Sequence, residues 1–110
     1  MNDHERYMRR AIALVENFPD LPFGAVIVDG GNGKILTEGW NKTSINPLWH
    51  GEIEAINGLA SSGVGAEGKS LAFYTTAEPC PMCQAAVLWS GIEKVVFGTF
   101  IRTLQRLGWR

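Results

Sequence analysis

Residues 71–98 read LAFYTTAEPCPMCQAAVLWSGIEKVVFG, and this stretch decides the fold. Leu71 to Thr75 has the β-branched and aromatic content of a strand. Pro79 to Ser90 opens with two prolines, which suit the first turn of a helix, and continues apolar enough to predict a buried helix. Lys94 to Gly98 is a strand again. Strand, helix, strand in so short a span is a crossover unit, which requires a parallel pair in an α/β protein.

Upstream, Phe23 to Val28 is a nearly continuous apolar run. Asp29-Gly30-Gly31-Asn32-Gly33 is a glycine-rich turn and Lys34 to Trp40 a second strand, so this half is an antiparallel hairpin. Residues 2–18 predict an amphipathic helix, because Met8, Ala11, Ile12 and Val15 recur at i, i+3, i+4 and i+7, with Pro19 and Pro22 ending it. Asn41 to Trp49 is polar and irregular. His50 to Ala60 resumes helical spacing through Ile53, Ile56 and Leu59, Ser61 to Gly68 is a loop, and Ile101 to Leu107 is a last short helix. The expected architecture is a three-layer α/β/α domain over residues 1–110, with a mixed sheet of four to five strands and helices on both faces.

Composition narrows the function. The 110 residues are 45% hydrophobic and 19% charged, ordinary values for one globular domain, with no repeat or low-complexity segment. A formal net charge of −1 supplies no general attraction for a polyphosphate backbone. Arg102, Arg106 and Arg110, spaced by four, are the best candidate for a local basic patch, although such a set is more often simply a solvated helix face. Met1 to Arg10 lacks the apolar run of a signal peptide or anchor, so a cytosolic address is expected. The only two cysteines lie three positions apart, which in a reducing compartment favours metal or redox chemistry over a structural disulfide.

The chemistry-bearing residues sit at the starts of the two central helices, His50-Gly51-Glu52 and Pro79-Cys80-Pro81-Met82-Cys83. Alone, a C-x-x-C pair is more often a structural half-site or a redox pair, and a single histidine more often a capping or packing residue. At the first turn of a helix both sulfurs point one way, and the helix N-terminus favours their thiolates. With one imidazole they make three ligands and leave a fourth tetrahedral position for water, whose pKa zinc lowers toward about 7. A four-ligand structural site would have only His4 to draw on. Glu52, two residues past His50, reaches that position as a proton carrier without being a ligand.

These two motifs together resemble the H-x-E…P-C-x-x-C signature of zinc deaminases. From Met8 to Gly98 the chain is similar to the cytidine/deoxycytidylate deaminase superfamily, in the branch of small cytosine, guanine and tRNA adenosine deaminases. The matching pieces are residues 22–28 (PFGAVIV), Trp40-Asn41, His50-Gly51-Glu52, Tyr74-Thr75-Thr76, residues 78–83 (EPCPMC) and Phe97-Gly98. The resemblance implies Zn2+ held by His50, Cys80 and Cys83, with Glu52 as the catalytic residue in hydrolytic deamination of a nucleobase or nucleoside. It implies Asn41 on the polar edge of the base, and Phe23, Gly24 and Gly51 around the pocket. Trp49 is a candidate for stacking on the substrate, and equally for packing.

Gly51 is as in the small cytosine deaminases, whereas 78–83 looks more like the guanine and tRNA enzymes. Members of the family continue past the fourth strand with another strand and one or two helices that close the pocket. Here Thr99 to Arg110 follows, so an open pocket or a shortened chain is expected. Two alternatives stay in view: deamination of adenosine or cytidine within tRNA or single-stranded DNA, and a non-catalytic, zinc-stabilised partner subunit. A small core and four tryptophans also predict a homo-oligomer, a homodimer being the simplest.

Overall fold

A computed structural model describes residues 3–18, 20–63 and 70–108. Four strands and four helices follow one another as α1 (Asp3–Ala13), β1 (Gly24–Asp29), β2 (Ile35–Trp40), α2 (Gly51–Ser61), β3 (Leu71–Ala77), α3 (Pro81–Trp89), β4 (Lys94–Thr99) and α4 (Ile101–Arg106). Asn2 and Pro19 at the expected ends of the first helix, residues 64–68 of the expected loop, and Arg110 lie outside the described residues.

The strands form one sheet in the order β2-β1-β3-β4. β1 is antiparallel to both neighbours and β3 is parallel to β4, so the sheet is mixed, as the two halves of the sequence predict. β2 and β3 therefore point the same way with β1 between them. All six residues of β1 are buried because the strand is flanked on both edges and covered on both faces. On one face Ala25, Ile27 and Phe73 pack with Ala55 and Leu59 of α2 and Val87 of α3. On the other, Val26, Val28, Ala72 and Tyr74 pack with Tyr7 and Ala11 of α1. These are the three layers, and β4 is the least covered strand.

Two expectations need correction. α1 ends at Ala13 and not at residue 18: beyond it the backbone tightens into i→i−3 turns, Val15 N–H to Ile12 O at 3.1 Å and Glu16 N–H to Ala13 O at 3.4 Å. The apolar spacing outlives the helix, since Val15 is still buried. α3 is not a buried helix. It buries Cys83 and Val87, one turn apart, while Leu88 is 77% and Trp89 88% exposed. An almost uniformly apolar helix carries no polar stripe to reveal which face meets the sheet.

The register places one end of the sheet as a common platform. Gly24 at the start of β1 pairs with Trp40 at the end of β2, and Ala77 at the end of β3 with Thr99 at the end of β4. Asn41, Glu78 to Cys80 and α4 all emerge there, at the carboxyl ends of the strands where open α/β sheets hold ligands.

Candidate metal and catalytic site

His50 is the residue before α2 and Cys80 the residue before α3; both are extended, and neither side chain caps its own helix. His50 O instead receives the Glu54 N–H at 3.0 Å, which starts the helix and frees the imidazole to face away from it. Pro81 begins α3 without a backbone N–H to satisfy, and Cys83 follows two residues later. The histidine Nδ1 lies 3.7 Å from Cys80 Sγ and 3.6 Å from Cys83 Sγ, and all three donor atoms fall within 4.8 Å of one another.

A metal–nitrogen bond of about 2.0–2.1 Å and a metal–sulfur bond of about 2.3 Å at the tetrahedral angle separate N and S by roughly 3.6 Å. The triad thus has the size of a zinc site, and its soft sulfurs and imidazole are zinc's donor set. Both cysteines are free thiols. Burial, and then the neighbouring Glu52, push the Cys83 thiol upward, so its thiolate requires a cation beside it. Zinc is the group the residues fit.

Glu52, in the first turn of α2, is buried at 6% exposure. Loss of water raises its carboxyl above the ordinary range; hydrogen bonds from Cys83, its own backbone N–H and Thr75, and the charge of His50, oppose that rise. Burial thus makes it a weaker acid than an exposed glutamate, the direction expected of a group that must hold as well as release a proton.

His50, Glu52 and Cys80 open onto a cavity of about 400 Å³, toward the small end of ligand pockets. Its wall is built by Leu21, Phe23, Asn41, Thr43, Ala77, Glu78, Pro81, Ile101, Leu104 and Gln105. Asn41 Oδ1 accepts from Thr43 N–H at 3.0 Å and from the Thr43 hydroxyl at 2.7 Å. A backbone N–H can only donate, so the oxygen is fixed on Thr43 and the amide NH2 is the group left for a ligand.

The remaining expected pocket residues lie elsewhere. Gly24 meets α1: a side chain there would run into the Ala11 carbonyl, and its N–H donates to Thr76 Oγ1 at 3.2 Å. Gly51 lets α2 press on the strand ends, since a Cβ would stand 2.9 Å from Phe23 O. Trp49 is half-buried with its ring 5.4 Å from Lys42 Nζ, away from the cavity wall. His4, the spare imidazole, sits 2.5 Å from the Tyr74 hydroxyl on the α1 face, opposite the triad's helices.

Sequence reading quoted Glu78 only within the EPCPMC run and saw in α4 only its basic set, giving neither a part in building the pocket. Glu78 N–H donates to Thr99 O at 2.7 Å, and its carboxylate accepts the Ile101 N–H at 2.9 Å, which seats α4 as one wall of the cavity. The pocket expected to be open therefore has a helix along one side.

The model of the cytidine and deoxycytidylate deaminase zinc-binding region matches residues 1–99. A tRNA-specific adenosine deaminase of Haemophilus influenzae is 37% identical over 99 residues, covering 86% of this chain and 57% of that protein. A probable cytosine deaminase of Schizosaccharomyces pombe is 33% identical over 104 residues, covering 92% of this chain and 63% of that protein. The chain thus spans about three fifths of the length of these curated relatives. The X-ray structure of guanine deaminase from Bacillus subtilis superposes with a TM-score of 0.80 at 33% identity, covering 99% of this chain and 71% of that one.

Proposed function

Because the chain belongs to the cytidine and deoxycytidylate deaminase family, we propose that it is a zinc-dependent hydrolase that removes an exocyclic amine from a nucleobase or nucleoside and releases ammonia. One observation carries this reading: a buried carboxyl, Glu52, and two donors of the metal triad, His50 and Cys80, open onto the same cavity, sized for a small ring compound, with the third donor, Cys83, buried beside them. A purely structural metal site has no need of that carboxyl, which disfavours a non-catalytic partner subunit.

Zinc bound by His50, Cys80 and Cys83 would supply the Lewis acidity that makes water nucleophilic near neutral pH. Glu52 takes a proton from the attacking water and delivers it to the ring nitrogen next to the amine-bearing carbon. It then carries the second water proton to the departing amine, so that ammonia leaves and a carbonyl replaces the C–N bond. The Asn41 NH2 donates to an acceptor on the base edge, and Phe23 and Leu104 form apolar walls.

A net charge of −1 supports a free base or nucleoside as substrate. The reading that favours tRNA or single-stranded DNA rests on Arg102 and Arg106, both exposed on α4, the helix that borders the cavity. We take residues 1–110 as one deaminase domain, working in a reducing cytoplasm where both cysteines stay thiols, and as a homo-oligomer. No helix among the described residues is long and apolar enough to cross a membrane. Ammonia release across cytosine, guanine, adenine and their nucleosides tests the proposal. Release from at least one supports it; silence on all of them, together with strongly salt-dependent binding to an oligonucleotide, moves the substrate to nucleic acid.

A further inference from the structure

The first turn of α2 holds a second glutamate, Glu54, that the proposed chemistry does not use. Its side chain is only 16% exposed, and its two oxygens reach to either side of one residue. Oε2 accepts the backbone N–H of Trp40, just before Asn41, at 2.8 Å. Oε1 is ion-paired with Lys42, just after Asn41. Lys42 is in turn enclosed: its ammonium lies 4.6 Å from the Trp40 ring and 5.4 Å from the Trp49 ring, and its backbone N–H donates to Trp49 O at 2.9 Å, closing the 41–49 loop on itself.

We propose that Glu54 is a positioning residue for substrate recognition: by holding the Trp40 backbone on one side of Asn41 and the Lys42 side chain on the other to the helix that follows His50 and carries Glu52, it sets where the Asn41 amide stands relative to the reacting centre. The inference rests on the reading of the cavity as a deaminase site. Chemically, the carboxylate is a two-pronged acceptor, one prong on a backbone donor and one on a charge. The enclosed, little-exposed ion pair keeps more of its Coulomb attraction than a surface pair does. Removing the clamp lets Asn41 shift while leaving Glu52 on α2 and the metal ligands at the starts of α2 and α3, so the loss falls on binding of the base.

The test compares Glu54→Ala and Glu54→Gln with wild type in steady-state ammonia release on the best base of the panel, with zinc content measured alongside. Expected is a KM raised about tenfold or more in E54A with kcat within about threefold and zinc unchanged, since small misplacements of a positioning group carry large costs. E54Q keeps an oxygen for the Trp40 N–H and recovers most of that loss. A KM within threefold of wild type in E54A, or a loss that appears in kcat or zinc content instead, overturns the proposal. If E54A does not fold, Lys42→Met removes only the charged prong and should raise KM about threefold; an unchanged KM overturns the proposal equally. If wild type releases no ammonia from any base, the deaminase reading fails separately, and the clamp is decided by hydrogen exchange: faster exchange of residues 41–49 in E54A supports it, and unchanged exchange refutes it.

Discussion

Glu52 is the residue on which the proposed chemistry turns, because one carboxyl has to take and return protons while its neighbours hold the metal. Glu52→Gln keeps the shape and a hydrogen-bonding group but removes that capacity. Zinc content and folding should survive, and turnover should fall at or beyond the upper end of the about 10²–10⁴-fold typical of general acid–base catalysis. A variant retaining more than about a tenth of wild-type turnover removes Glu52 from the role. His50→Ala should lose the metal and, with it, some stability, since metal binding is coupled to folding; metal analysis beside a thermal melt reads both. His50, Glu52, Cys80 and Cys83 were legible because their spacing along the chain is itself the signal. Glu54 and Glu78 were not, because a carboxylate that accepts a backbone N–H from another element leaves no local pattern. Gly24 and Gly51 lie next to readable residues and invite a pocket role, whereas their smallness serves close backbone approach.

At the scale of elements, the seating of α2 on the β1–β2 hairpin governs the site, since that helix carries His50, Glu52 and Glu54 together. Gly39 is the contact point: a Cβ there would collide with the Gly51 carbonyl, approach Ala55 N to 2.7 Å and Glu54 Cβ to 3.1 Å. Backbone atoms of a helix cannot step aside as a flexible side chain can. Gly39→Ala should therefore destabilise the protein by about 1–3 kcal/mol, the usual range for overpacking, although alanine is the better strand residue by about 0.5–1 kcal/mol. Urea unfolding measures it, and a loss under about 0.3 kcal/mol would show that the helix is not seated on Gly39. The element order and the hairpin were readable from period and turn chemistry. The end of α1 was not, because Val15 continues the apolar face after the helical hydrogen bonds have stopped.

At the scale of the molecule, the most exposed large apolar side chains among the described residues lie in three places: the outer end of α3, where Leu88 and Trp89 are 77% and 88% exposed, the 41–49 loop, with Ile45 at 72% and Leu48 at 62%, and the ends of α4, with Leu107 at 71% and Phe100 at 60%. A homo-oligomer that covers such side chains should appear in light scattering as a mass of at least twice 12.1 kDa. A fully active monomer at micromolar concentration refutes it. The mixed topology was legible because a hairpin followed by a crossover leaves few arrangements, but which strand lies central was not, since adjacency in the sheet is not adjacency in the chain. That central placement has a kinetic consequence. β1 stands between β2, which leads to His50, and β3, which leads to Cys80 and Cys83. The hairpin with β2 closes over a short loop, whereas Ala25 must find Thr75 across fifty residues, a slower search. In refolding, therefore, the imidazole and the two sulfurs should remain strangers until β1 has been zipped along both edges, and capture of the metal by all three should follow that pairing.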